Sequence, residues 1–182
     1  MKGKDIIEKS QVSAASFYKY YSDKSEVLDD LENDLMAKFR KAVAKDIKHW
    51  QTMNHSPSKK DMDRLIDQNI NELINFATEN HEYVSTLLSR NGEANFQYRI
   101  IEYSTKMIER AIIYYYSLYH QGRLLSKQNA KLQFISRQYA LAFLEPLLIW
   151  QHYSDQMTVR DIKSMIKLNV MKSPYELSTH GL

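Results

Sequence analysis

Near the N-terminus, small, hydroxyl-bearing, aromatic and basic side chains follow one another in the run Ser13-Ala14-Ala15-Ser16-Phe17-Tyr18-Lys19-Tyr20-Tyr21. Ser13 has the chemistry of a helix N-cap, and Val12 before it can act as the buried staple of a tight turn. Phe17 and Tyr21, four residues apart, share one helical face and can be buried together. Ala14, Ala15, Tyr18 and Lys19 then fall on or near the opposite face. That face has low relief and hydrogen-bonding tips, the properties needed to enter a DNA major groove, where alanine can touch a thymine methyl. The preceding Lys4 to Lys9 segment reads as a short helix with Ile6 and Ile7 inward. Together the two segments predict a helix-turn-helix.

Lys24 adds a second chemistry. Ser22 or Asp23 can cap a following helix, with Glu26 spaced for a capping box with Asp23, so Lys24 falls in a first turn where the helix dipole disfavours a cation. Two readings fit this position. A phosphate can be gripped by the free backbone N–H groups and the ammonium together, or the lysine is simply solvated.

The set Lys4-Asp5-Ile6-Ile7-Glu8-Lys9, Val12-Ser13, Ser16-Phe17-Tyr18, Tyr20-Tyr21 and Lys24 followed by Glu26-Val27-Leu28 resembles the DNA-binding domain of TetR-family bacterial transcription regulators. The resemblance implies that Ser13 opens the recognition helix, that Tyr18 and Lys24 hold phosphates, and that Ala14, Ala15, Ser16, Lys19 and Tyr20 lie at the groove. The motif covers about a seventh of the chain. Two departures stand out. Ser10-Gln11 occupies the place where the family has Ala-Gly or similar small residues, and no room is left upstream of Lys2 for the family's bracing first helix. The expectation is a helix-turn-helix that lacks that first helix.

Composition frames the rest. A chain of 182 residues with 43% hydrophobic residues can bury a sizeable core, as one compact unit or as a small head on a larger body. Four glycines, three prolines and no strand-like alternation predict an all-α fold. The net charge of +3 is too small to identify a nucleic-acid binder. Its distribution is more telling: residues 1–24 hold five lysines against Asp5, Glu8 and Asp23, whereas 25–36 hold five acids and no base. Zero cysteines exclude disulfides and thiolate metal sites. The N-terminus has no apolar signal-peptide core. The longest apolar run, Tyr139 to Trp150, is interrupted by Glu145 and Pro146 and is shorter than the roughly 20 residues of a membrane helix. A soluble, cytoplasmic protein without cofactor is expected.

Helical periodicity predicts one helix from Asp23 to Gln51 with Val27, Leu28, Leu31, Leu35, Phe39, Val43 and Ile47 on its stripe, then a loop over 52–60. Further helices are predicted over 61–80, 81–89, 93–121, 126–153 and 158–171. The division expected is a helix-turn-helix domain at 1–45 and a helical effector-binding and dimerisation domain at 46–182.

The predicted helix over 126–153 is apolar nearly all round. One stripe carries Leu132, Ile135, Tyr139, Ala142, Phe143, Leu147 and Trp150, and a second face carries Phe134, Leu141, Leu144 and Leu148. Two arrangements cover such a helix: burial at the centre of a monomer, or a homodimer through helices 126–153 and 158–171, aided by Val159, Ile162, Ile166 and Val170. A dimer suits double-stranded DNA carrying a palindromic operator, because paired recognition helices lie about one DNA turn apart. Pro146 removes one backbone hydrogen bond and frees a carbonyl near Ala142, which predicts a kink. Tyr103, Met107, Tyr114, Tyr139, Phe143 and Trp150 then form either a packed aromatic core or the wall of a cavity. In the resembled family this region binds small-molecule effectors that change the spacing of the two heads.

Enzymatic motifs are absent. The six histidines are scattered without ligand spacing, and there is no glycine-rich phosphate loop, Gly-x-Ser-x-Gly elbow or cysteine nucleophile. Asp29, Asp30, Glu32 and Asp34 read as a solvated face. The function expected is that of a sequence-specific transcription regulator, a ligand-responsive repressor. The alternative is a dimeric interaction protein that has lost DNA binding and acts through a protein partner.

Overall fold

Ser13, Asp23, Ser58 and Thr158 each stand one residue ahead of a helix, and each side chain accepts a backbone N–H from that helix's first turn. The computed structural model describes residues 3–50, 58–89, 94–119 and 130–171. These residues fold as α1 (Gly3–Ser10), α2 (Ala14–Tyr20), α3 (Lys24–Trp50), α4 (Lys59–Asn69), α5 (Asn71–Glu79), α6 (His81–Leu87), α7 (Ala94–Tyr119), α8 (Ala130–His152) and α9 (Val159–Met171). Among the described residues the fold is all-α, and no helix is long and apolar enough to cross a membrane. Residues 52–57 of the predicted loop over 52–60, both ends of the predicted helix over 93–121 and the first residues of the predicted helix over 126–153 lie outside the described residues.

The chain falls into two compact units, Met1–Lys38 and Phe39–Leu182. In the first, α1 and α2 are joined by a turn in which Gln11 has φ 58°, the left-handed region that favours glycine. The small residue that the resembled family has at this turn is thus replaced by a side chain that must bear the strain. Val12 is 43% exposed, so it does not act as the buried staple expected of it. The following stripe also departs from expectation at Glu32, which is 2% exposed while Asp29, Asp30 and Asp34 are solvated. Glu32 follows Leu28 by four residues and precedes Met36 by four, so it lies on the inward face of α3 rather than on the acidic one.

In the second unit, Ile66, Ile70, Ile74 and Ala77 meet Leu147, Trp150, Ile162 and Ile166 in one core, with Leu73, Phe143, Met157 and Val170 packed against it. Lys167 Nζ pairs with Asp67 Oδ2 at 2.7 Å and Asp63 Oδ1 at 3.0 Å, and Lys163 Nζ donates to Asp67 O at 2.6 Å. These bonds tie α9 to α4. Ile162 and Ile166 are therefore used by the chain's own core, and of the apolar residues assigned to a dimer face on α9 only Val159, 43% exposed, stands out in solvent.

The predicted helix over 61–80 is broken. Ile70, at φ −110° and ψ 12°, ends α4 and precedes α5. The cause is tertiary. Asp46 of α3, 9% exposed, accepts the backbone N–H of Glu72 at 3.3 Å and of Leu73 at 3.0 Å, serving as an N-terminal cap supplied from another helix. Lys45 Nζ reinforces the contact through Glu72 Oε2 at 2.8 Å.

The inward face of α8 also differs from the one read by hydrophobicity. Ser136 and Ala140 are buried with Leu132, Leu144, Leu147 and Trp150, whereas Ile135 and Tyr139 are 42% and 41% exposed. Small side chains let a neighbouring helix approach closely, and that requirement outranks hydrophobicity here. Pro146 lies buried within α8, and the carbonyl it leaves without a ladder partner, Ala142 O, accepts from Asn169 Nδ2 of α9 at 3.4 Å.

Two stability effects follow. Asp46→Ala should lower the unfolding free energy in urea by about 1–2 kcal/mol, with Asp46→Asn recovering much of the loss because it keeps an acceptor at the same place. Gln11→Gly should stabilise the first unit by about 0.5–1 kcal/mol. The check is slower hydrogen exchange of the Phe17 and Tyr21 amides, which donate to Ser13 O at 2.9 Å and Phe17 O at 3.0 Å.

Candidate functional site

The helix-turn-helix begins from its cap. Ser13 Oγ accepts the Ser16 backbone N–H at 3.0 Å and its hydroxyl lies 2.9 Å from Ser16 Oγ, so Ser13 starts α2 as the residue types predict. Phe17, 6% exposed, is the buried residue of α2, and its ring lies 5.9 Å from that of Tyr21. Tyr21 itself is the C-cap with extended backbone, and its hydroxyl donates to Asp30 Oδ2 at 2.9 Å. That hydrogen bond, followed by the Asp30 charge, raises the Tyr21 pKa above its ordinary value of 10.0. The bond fixes the end of α2 to α3.

With Phe17 turned inward, Ala14, Ala15, Ser16, Tyr18, Lys19 and Tyr20 all face solvent, Tyr18 at 59% and Tyr20 at 70% exposure. Lys19 Nζ sits 5.3 Å from the centre of the Tyr20 ring. Large aromatic side chains held in water on a short helix, interleaved with a lysine and flanked by small residues, form a surface of the kind that reads nucleic acid.

Lys24 is the first residue of α3 and is exposed. Asp23 Oδ1 caps this helix by accepting from Ser25 N at 2.7 Å and Glu26 N at 3.3 Å. The expected reciprocal bond is displaced by one residue: Glu26 Oε2 accepts from Ser22 N at 2.6 Å. Two carboxylates therefore already serve this helix end. Among the described residues Lys24 forms no ion pair, so its ammonium is available to a phosphate.

The second unit holds a cavity of about 390 Å³. Of the six residues expected to line one, Met107, Tyr114 and Phe143 do so. Tyr103 does not: its ring packs on Phe39 at 5.9 Å and under Arg40 at 5.7 Å. Trp150 is a core residue, 7% exposed, with His81 6.3 Å from its ring, and Tyr139 faces solvent. The wall is completed by Val43, Asp46 and Ile47 of α3, by Ile70 and Leu73, by Ala140 and Leu144 of α8, and by a single face of α7. That face, Ser104, Met107, Ile108, Ala111 and Tyr115, repeats at spacings of three and four and was legible as a stripe. Its residues are only half-buried because they border empty space rather than side chains. Burial, with Tyr114 adding to it, raises the Tyr115 pKa above 10.0.

No family model matches the chain, and no solved structure matches it. Among curated proteins, the uncharacterised HTH-type transcriptional regulator YxbF of Bacillus subtilis is 29% identical over 87 residues, a stretch that makes up 48% of this chain and 21% of that protein. The chain thus spans about a fifth of the length of the curated relative it matches. Over just under half its length, this chain is similar to a helix-turn-helix transcription regulator.

Proposed function

We propose that the chain is a DNA-binding transcription regulator of the TetR type, working as a homodimer on a palindromic operator, with repression relieved by a small molecule held in the cavity. The observation that carries the reading is the capped helix α2, whose buried Phe17 turns Ala14, Ala15, Ser16, Tyr18, Lys19 and Tyr20 outward. The similarity to an HTH-type regulator supports DNA binding in general, and the family-level detail rests on the motif from Lys4 to Leu28. In this mechanism α2 enters the major groove, Tyr18 and Lys24 hold phosphates, and the neighbouring small residues let the backbone approach the base edges.

The dimer is supported by apolar side chains of α8 that are exposed among the described residues, Phe134, Ile135 and Tyr139 at 64%, 42% and 41%. Exposed apolar surface marks association sites, and two-fold pairing would give a palindrome its two readers. Effector control is then a coupling free energy between cavity and operator, on the order of 1–3 kcal/mol in proteins that use it.

Binding to the chain's own promoter region across a salt series tests the reading. Lys24→Ala should weaken binding similarly on all sequences and flatten the slope of log affinity against log salt by about one unit, as loss of one phosphate contact does. No preference for that region over random duplex removes the repressor reading and favours action through a protein partner. For the assembly, light scattering should give twice the chain mass, and Tyr139→Glu should return it to the monomer. A monomer mass independent of concentration removes the dimer.

A further inference from the structure

The cavity of the second unit is deep in apolar surface and charged at its edge. Ile70, Ala140 and Leu144 are each no more than 4% exposed, whereas Arg110 and Tyr114 are exposed, so the wall runs from a dry interior to a wet rim. Two charged side chains line it, Asp46 and Arg110. They are not equivalent. The Asp46 carboxylate accepts two backbone N–H groups at the start of α5, which hold its charge where it is. Arg110 forms no ion pair among the described residues, and its described contact is a long one, Nη1 to Met107 Sδ at 3.9 Å.

A guanidinium presents five N–H donors in a planar fork that matches a carboxylate, and it is more weakly hydrated than an ammonium. Placed at the rim of an apolar cavity, it selects for a molecule with an apolar body and an anionic end. We infer that the cavity takes an amphipathic organic acid, its hydrocarbon or aromatic body among Ile70, Met107, Phe143 and Leu144 and its carboxylate on Arg110. This assignment rests on reading the cavity as the effector site, and it adds the charge and class of the effector. A neutral ligand of the same shape would leave the guanidinium to water and gain nothing from its charge, and a cationic one would meet it as a like charge.

Three probes matched in length separate the possibilities: decanoate, decanol and decylamine, each titrated calorimetrically into the full chain. Decanoate should bind at least about tenfold tighter than decanol, as a charge-assisted hydrogen-bonded pair allows, and decylamine should bind weakest. Arg110→Gln should bring decanoate down to the level of decanol and leave decanol unchanged, while Arg110→Lys keeps part of the preference. Ala111→Trp, which fills the cavity, should remove binding of both. Equal binding of decanoate and decanol, or an Arg110→Gln variant that binds decanoate as before, overturns the organic-acid assignment and leaves the effector site standing. Failure of all three probes, or unchanged binding to a folded Ala111→Trp variant, overturns the effector-site reading and this inference with it.

Discussion

The carboxylate of Asp46 decides where one helix stops and the next begins. It reaches from α3 to the exposed amides of Glu72 and Leu73, so the chain from Lys59 bends at Ile70 instead of running on as one rod. One side of the cavity depends on that bend. Ile70 and Leu73 flank it and form wall, Val43 lies one turn before Asp46 and Ile47 directly after it on the same helix, and Phe39, earlier on α3, reaches Phe76 and Tyr103. A buried acid at a helix end stabilises because its charge meets oriented N–H groups. The same acid without those groups would be a desolvated charge in an apolar setting.

Local rules made the N-terminal motif readable. Ser13, Phe17 and Asp23 take the roles their types and spacing suggest, because a cap and an i,i+4 pair involve only neighbours in sequence. The all-α class was readable for the same reason, since helical periodicity repeats through the chain. The break at Ile70 was not, because its cause lies on another helix. The inward face of α8 was misread where Ser136 and Ala140 are buried, since periodicity counts apolar residues and does not know how near a neighbouring helix comes.

The cavity shows a related limit. Aromatic residues on long helices suggested its wall, yet Trp150 and Tyr103 are spent on packing, and the wall is made more by aliphatic residues and by two charges. An aromatic side chain carries a large area whether it packs or lines a void, so its type does not separate the two cases. A half-buried stripe of mixed small and apolar residues on α7 was the better signal. It marks a face that is covered without being filled.

Gln11 has a consequence for how the head meets a partner. A residue with a β-carbon in the left-handed region is less favourable by about 1–2 kcal/mol, and α2 offers a single buried residue, Phe17, to set against it. That cost lowers the free-energy gap between the closed head and forms in which the turn has relaxed. Any partner that grips only its closed form would therefore spend part of its binding free energy on ordering, and measured affinity would report the occupancy of the closed state as well as the quality of the contacts.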